Sequence, residues 1–306
     1  MGILVLGSFM MDQVVTTPRV PKNGETIIGS DFSIFPGGKG ANQAVSAARL
    51  GGKVVMAGKV GDDDYGEEFI QTLKEEDIDT DYIEIDYNYT TGIGFITSET
   101  NGDNRIIVVP GANLKYSQQE LLKLDNVLDD VEVLIIQLEM DIKVMEKAAK
   151  MAKNKNVQVI LNPAPGQELS DSLLKNVDYL TPNETELEIL SGVKIDNLED
   201  TISASKILFN KGVNNIIVTL GSNGALIVTR DEVEHINGFN VSVCDTVAAG
   251  DAFNGALAVA ITENVSLEEG VQLANAAGAL TVTKKGAIPS IPYREEVETF
   301  LKERIG

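Results

Sequence analysis

From residue 117 onward the sequence alternates short aliphatic runs with stretches of helical period, and that alternation admits few architectures. A helical pattern at 117–124 is followed by a strand at 133–137, a helix at 143–153 and a strand at 157–161. A two-residue strand at 179–180, helices at 184–190 and 199–211 and a strand at 216–220 continue the series. Aliphatic runs of this kind suit strands buried on both faces, and strands separated by helices imply a parallel sheet. Before this region, residues 3–6 and 53–60 read as strands and 41–50 and 65–76 as helices, the first stopped by Gly51-Gly52. Residues 221–243 read as a hairpin with Asn223-Gly224 at its turn, and the remainder as helical apart from a loop at 284–292. The expected fold is α/β, with a mostly parallel, Rossmann-like central sheet and helices on both faces.

Two stretches differ in character. Residues 12–36 carry Pro18, Pro21 and Asn23-Gly24 between short apolar pieces. Strand-like runs at 82–89, 91–97 and 105–109, with a turn signal at Asn101-Gly102, have the same style. They are expected to form one small β-sheet lid, built from 14–34 and 87–109. The α/β domain then comprises 1–13, 35–86 and 110–306.

Charge narrows the partners. The formal net charge is -21, which repels nucleic acid and anionic membrane, so neither is expected to bind. Cys244 is the only cysteine, which excludes an intrachain disulfide and a Cys-based zinc site. His235 is the only histidine, in a polar strand edge, so a Ser-His-Asp triad must use it or not exist. No apolar run reaches the roughly 18 residues that a spanning helix needs, and residues 1–8 lack a basic start, so a cytoplasmic protein is expected.

Four stretches have residues suited to chemistry. In residues 36–43, three glycines within four positions lead into a helix; either they let backbone N–H groups approach a ligand, or they form a plain turn. The spacing is neither a P-loop nor a dinucleotide fingerprint. In residues 245–256, small residues surround Asp251 at a helix start. The N–H groups of Ala248, Ala249 and Gly250 suit a phosphate there, and Asp251 suits a proton acceptor or a helix cap. Residues 181–186 place Pro182, Asn183 and Glu186 at another helix start, as capping design or as groups ordering Mg2+ through water. Asp12 and Glu139 follow strands, where open α/β sheets bind ligands, and carboxylates there suit a polyol.

Together these stretches resemble the ribokinase family of sugar kinases, also called the PfkB family. The resemblance rests on Gly-Gly-Lys-Gly-Ala-Asn-Gln at 37–43, Asn-Pro-Ala-Pro at 162–165 and Pro-Asn-Glu-Thr-Glu at 182–186. Asp-Thr-Val-Ala-Ala-Gly-Asp at 245–251 and Lys-Gly-Ala-Ile-Pro-Ser-Ile-Pro at 285–292 complete it, in the family's order and over essentially the whole chain. It implies ATP-dependent phosphorylation of a sugar's primary hydroxyl, with D-ribose the leading substrate. Asp251 matches the family's base, and the amides around Ala249-Gly250 its anion hole. Asp12, Gly38, Lys39, Asn42 and Glu139 match sugar-binding positions. Asn183, the stretch Thr219 to Gly224 with Gly221 and Ser222, and Asn275 match nucleotide positions. Glu186 matches a position linked to Mg2+. Asp245, Val247, Thr281, Lys284, Gly286 and Ser290 match a K+ loop, mostly through carbonyls. A homodimer through the lid is implied as well.

One position departs from the pattern. Met10 stands where ribokinases usually carry an Asn that binds sugar hydroxyls, and deoxyribokinase-like relatives carry Met there. A thioether is no donor, so 2-deoxy-D-ribose is the alternative substrate. Two readings from other classes remain: an inactive sugar-binding or regulatory protein, opposed by the intact Gly250-Asp251 pair, and an NAD-dependent oxidoreductase, opposed by the missing glycine fingerprint.

Overall fold

The structure is a computed structural model and describes residues 2–99 and 104–305, with nothing of the Ile305 side chain. The turn expected at Asn101-Gly102 lies outside the described residues. Among the described residues thirteen strands follow in chain order: β1 (Ile3–Leu6), β2 (Met10–Thr17), β3 (Asp31–Gly37), β4 (Val54–Gly61), β5 (Asp79–Asp86), β6 (Gly92–Glu99), β7 (Asn104–Val109), β8 (Val133–Ile136), β9 (Gln158–Leu161), β10 (Tyr179–Leu180), β11 (Asn215–Thr219), β12 (Ala225–Val228) and β13 (Val233–Ile236). The helices are α1 (Lys39–Arg49), α2 (Asp64–Glu75), α3 (Gln118–Leu121), α4 (Ile142–Asn154), α5 (Asp171–Leu174), α6 (Glu184–Ser191), α7 (Leu198–Asn210), α8 (Ala249–Thr262), α9 (Leu267–Thr281) and α10 (Arg294–Ile305).

The period of two along each strand divides the core. In β1, Leu4 and Leu6 join one buried cluster and Ile3 and Val5 the other; Leu134 and Ile136 of β8 oppose Val133 and Ile135 in the same way. The first cluster is closed by α3 to α7, the second by α1, α2, α8, α9 and α10. Each fully buried aliphatic side chain contributes about 1.5–3 kcal/mol of transfer free energy, so a strand apolar on both sides is stable only between two helical layers. The nine-stranded sheet has the order β13-β12-β11-β10-β9-β8-β1-β4-β5. It is parallel from β5 to β11 and antiparallel across β12 and β13.

The second sheet has the order β3-β2-β6-β7, with β2 parallel to β6. Its register places Asp12 opposite Gly94 and Phe35, and Gln13 opposite Phe95 and Ile34. The small sheet therefore draws on residues 10–37 and 92–109.

Two expectations are corrected. The strand read at 82–89 as lid-like is β5, which pairs with β4 in the large sheet. It is an edge strand with alternating polar residues; Tyr82 and Ile83 pack on the two core clusters, and α2 supplies its crossover. Asn223-Gly224 is the turn between β11 and β12, not the middle of a 221–243 hairpin. Gly224 has φ +90, and a Cβ there would lie 2.1 Å from the Ile236 carbonyl oxygen. The next hairpin turns instead at residues 229–232, where Thr229 N–H donates to the Glu232 carbonyl at 2.9 Å. Among the described residues no helix is long and apolar enough to cross a membrane.

Candidate active site

The carboxyl ends of the parallel strands converge on one cleft. β1 leads to Ser8, β8 to Gln137 and Glu139, β9 to Asn162, β10 to Thr181 and Asn183. Facing them are the starts of α1 and α8, which lie side by side because both are lined with small residues. A Cβ on Gly255 would meet Ser46 Cβ at 2.5 Å, and Ser46 Oγ donates to the Ala252 carbonyl at 2.9 Å. Helices α2, α4, α6, α7 and α9 have side-chain caps at their N-termini, whereas α1 and α8 have none. The first N–H groups of α1 donate to Glu139 Oε2, Ser8 Oγ and the Ser8 carbonyl, whereas among the described residues those of Ala249, Gly250 and Asp251 in α8 have no partner and are left to whatever occupies the cleft.

Asp251, in the first turn of α8, is 6% exposed. Its Oδ2 accepts from Asn42 Nδ2 at 2.8 Å and its Oδ1 from Gln43 Nε2 at 3.0 Å. Gln43 is itself held: its Nε2 also donates to Asn162 Oδ1 at 3.1 Å, and its Oε1 accepts from Gln137 Nε2 at 2.6 Å. Asn254 accepts from Thr181 Oγ1 at 2.7 Å and donates to the Gly250 carbonyl at 2.8 Å. This network orients the carboxylate and leaves it lining a cavity of about 450 Å³. Among the described residues Asn42 Oδ1 is buried there with no partner, an acceptor placed for a hydroxyl.

Asp12, Glu139 and Lys39 line the same cavity. Glu139 Oε2 accepts from Ser8 Oγ and from the Lys39 N–H at 3.1 Å. Burial, then Glu139 and Asp251, push the Asp12 carboxyl up to about 7. Glycine makes room for it: a Cβ on Gly94 would lie 2.2 Å from Asp12 Oδ1. Burial pulls the Lys39 ammonium down, but the carboxylates of Asp251, Glu139 and Glu186 outweigh it and hold Lys39 above its ordinary value. It stays a cation among acids, placed to meet an anionic ligand. Met10, 6% exposed, forms apolar wall, and Ile96, Ile106 and Val108 of the small sheet roof the space.

A second cavity of about 440 Å³ lies beyond the start of α8 and shares Asn183, Thr219, Thr246, Ala249 and Gly250 with the first. Gly221, Ser222, Gly224 and Asn275 line it beside Phe239, Phe253 and Val282. Asn275 Nδ2 donates to the carbonyls of Ile236 and Asn237 at 3.2 and 3.3 Å, which fixes its amide. Asn183 and Glu186 form a capping box on α6: Asn183 Oδ1 accepts from Glu186 N–H and Glu186 Oε2 from Asn183 N–H. The capping role and the cleft-facing position thus coincide. Burial foremost, with Asp251 adding, raises the Glu186 carboxyl against the opposing pull of Asn183 N–H and Lys39.

Between the cavities, Ala248 adopts φ +62 at the start of α8, a left-handed conformation that costs a non-glycine residue about 1 kcal/mol or more. Gly250 is different: a Cβ there would meet nothing within 4 Å. Its surroundings are the shared open space rather than protein. A buried carboxylate beside the free N–H groups of α8, between two cavities, suits transfer of a phosphoryl group from one ligand to another.

Similarity to known proteins agrees with that geometry. Residues 2–294 match the model of the pfkB family carbohydrate kinases. The chain belongs to the pfkB family of carbohydrate kinases. It is 40% identical to a ribokinase of Haemophilus influenzae over 300 residues, covering 98% of each chain. It is 39% identical to a deoxyribokinase of Salmonella typhimurium, covering 98% of this chain and 99% of that one. The structure of Arabidopsis thaliana ribokinase complexed with ribose and ATP superposes with a TM-score of 0.92 at 34% identity, covering 98% of each chain.

For a pfkB carbohydrate kinase the placement of the expected residues divides in two. Met10, Asp12, Gly38, Lys39, Asn42, Glu139 and Asp251 meet in one cavity, and Asn183, Thr219, Gly221, Ser222, Gly224, Gly250 and Asn275 in the other. Val247 lines the first cavity, but Asp245, Thr281, Lys284, Gly286 and Ser290 line neither. Asp245 joins two loops, accepting from Val247 N–H and Gly286 N–H at 3.1 Å each. The Lys284 ammonium points away to Glu296 at 2.7 Å. No role follows from the sequence alone for Gln43, Asn162, Thr181 or Asn254, although all four lie inside the stretches 36–43, 162–165, 181–186 and 245–256; their polarity within apolar surroundings was the available signal.

Proposed function

We propose that the protein phosphorylates the 5-hydroxyl of D-ribose with ATP, giving D-ribose 5-phosphate and ADP. The observation that carries this is Asp251, buried, oriented by two amide donors and set at the uncapped start of α8 between two cavities. The sugar fills the first cavity, with its hydroxyls on Asp12, Asn42 and Glu139. ATP fills the second, with its phosphates reaching the Ala249-Gly250 amides. Asp251 accepts the hydroxyl proton as the sugar oxygen bonds to the γ-phosphorus and the bond to the ADP oxygen breaks. The amides and Lys39 meet the charge on the transferred group. Ile96, Ile106 and Val108 exclude water, which limits hydrolysis of ATP.

Among the described residues no group of three or more His, Cys, Asp or Glu is placed to hold a metal. Glu186 would hold Mg2+ through water when the nucleotide brings it, and the ion would neutralise phosphate charge. K+ would sit at the loops joined by Asp245, where Asp245, Val247, Thr281, Lys284, Gly286 and Ser290 would hold it, mostly through carbonyls, and it would order the loop beside the start of α8. A homodimer through the outer face of the small sheet and a cytoplasmic site of action, where ATP is available, complete the reading.

Met10 favours a second substrate, 2-deoxy-D-ribose, because an apolar wall leaves a 2-hydroxyl without a partner. Initial rates of ADP production with Mg-ATP and K+ decide between the sugars. A higher kcat/KM for D-ribose supports the first reading; a preference for 2-deoxy-D-ribose makes Met10 the selecting residue. No sugar-dependent ADP would return the inactive binding protein.

A further inference from the structure

The chain passes between the large and small sheets at residues 7–10, 37–39, 86–92 and 109–113. Three of these crossings are bonded together. Asn113 is fully buried, and its amide is spent on backbone: Oδ1 accepts from Phe9 N–H at 2.9 Å, and Nδ2 donates to the carbonyls of Phe9 at 2.7 Å and Pro110 at 2.9 Å. Beside it, Ala112 N–H donates to the Thr90 carbonyl at 2.8 Å. Thr91 is anchored to the large domain in turn, its Oγ1 accepting from Gly61 N–H at 2.9 Å and donating to Asp63 Oδ1 at 2.7 Å.

Asn113 lines neither cavity and has no group left for a ligand. What it joins matters for the reaction. Phe9 is followed by Met10 and Asp12, on the wall of the first cavity, and Pro110 ends the strand that carries Ile106 and Val108, on its roof. An apolar side chain of similar size would leave the buried Phe9 N–H without this acceptor and the Phe9 carbonyl without this donor, while the Pro110 carbonyl would keep the Asn113 N–H at 3.2 Å.

We infer that Asn113 is a positioning residue, a pin that joins the roots of β2 and β7 so that wall and roof close on the sugar as one unit. The inference rests on the sugar-kinase reading of the cleft. Loosening the pin separates the sugar contacts from the roof and leaves the second cavity, on the far side of α8, unchanged.

The test uses the full chain with Asn113→Ala and Asn113→Asp. The aspartate keeps the acceptor for Phe9 N–H and loses both donations. Both variants are expected to raise the KM for the sugar by about tenfold or more, as a misplaced contact does, with the KM for ATP within about twofold. ADP released should exceed sugar phosphate formed, because a loose roof admits water. Unchanged sugar KM and an unchanged ratio of ADP to sugar phosphate, with only a lower Tm, would overturn the pin. Should neither variant fold, amide hydrogen exchange on the unmodified protein decides. Phe9 N–H protected equally with and without D-ribose, while the lid strands gain protection, supports the pin. Phe9 N–H gaining protection together with those strands overturns it. A sugar-independent unmodified protein would defeat the kinase reading, and Phe9 exchange without sugar would still report on the pin: slow exchange supports it and fast exchange does not.

Discussion

Asp251 receives two hydrogen bonds, from the side-chain amides of Asn42 and Gln43, so its carboxylate is held in place in the cleft. Asp251→Asn is expected to keep the fold, seen as an unchanged circular dichroism spectrum, and to lose about 100-fold or more in kcat. Near-normal turnover would remove Asp251 from the role of base. Asp12 makes a second expectation. Its folded-state carboxyl titrates at about 7 against an ordinary value of 3.8, because of burial and then Glu139 and Asp251. Between those values the native chain holds a proton that the unfolded chain has released, so this group's contribution to stability is complete at low pH and lost as pH rises through about 7. Asp12→Asn should therefore flatten the fall in Tm between about pH 4 and about pH 7; an unaltered pH profile would show that Asp12 is not the titrating group. At this scale the sequence was legible where chemistry needs a distinctive residue type, as at Asp251, Asp12 and Lys39. It was not legible for Asn113, Asn162 or Thr181, whose roles depend on partners 104, 119 and 73 residues away in the chain.

The start of α8 is where element and chemistry meet. Its N–H groups have no side-chain cap, Ala248 bends the chain into it at φ +62, and Gly250 opens onto empty space. Space rather than backbone conformation accounts for that glycine, since alanine favours a helix over glycine by about 1 kcal/mol. Gly250→Ala should leave Tm equal or higher while lowering kcat/KM for the nucleotide by about tenfold or more, because the added methyl stands where phosphate must approach. A drop in Tm with unchanged kinetics would mean that the glycine serves the fold. The same contrast explains which elements could be read in advance. The aliphatic runs β1, β8, β9 and β11 and the helices α1, α2, α4, α6 and α7 follow from periodicity alone. The edge strand β5 alternates polar and apolar residues as a lid strand does, and only its packing on β4 separates the two. The turn at 229–232 lacks an Asn-Gly pair and held no local signal, and α5, four residues long and capped by Ser170, is too short to show a period.

At the scale of the whole molecule, the small sheet has a face that the monomer leaves uncovered. In the row Ile34, Gln13, Phe95 and Ile107, which alternates with the cavity-facing row, Phe95 is 42% and Ile107 65% exposed. Apolar side chains grouped on one face in this way cost free energy in water and mark a contact surface. Two copies of a chain with net charge -21 repel, so a dimer forms best where apolar contact is dense, and its stability must depend on ionic strength. Sedimentation is expected to show a dimer that tightens as salt rises, the reverse of an association held by opposite charges. Ile107→Glu should dissociate it by placing a carboxylate in the contact, and should raise the sugar KM more than the ATP KM, since β7 also carries the roof residues Ile106 and Val108. A variant that sediments like the unmodified chain would move the interface elsewhere, whereas a monomeric variant with unaltered sugar KM would keep the interface and separate it from closure of the roof.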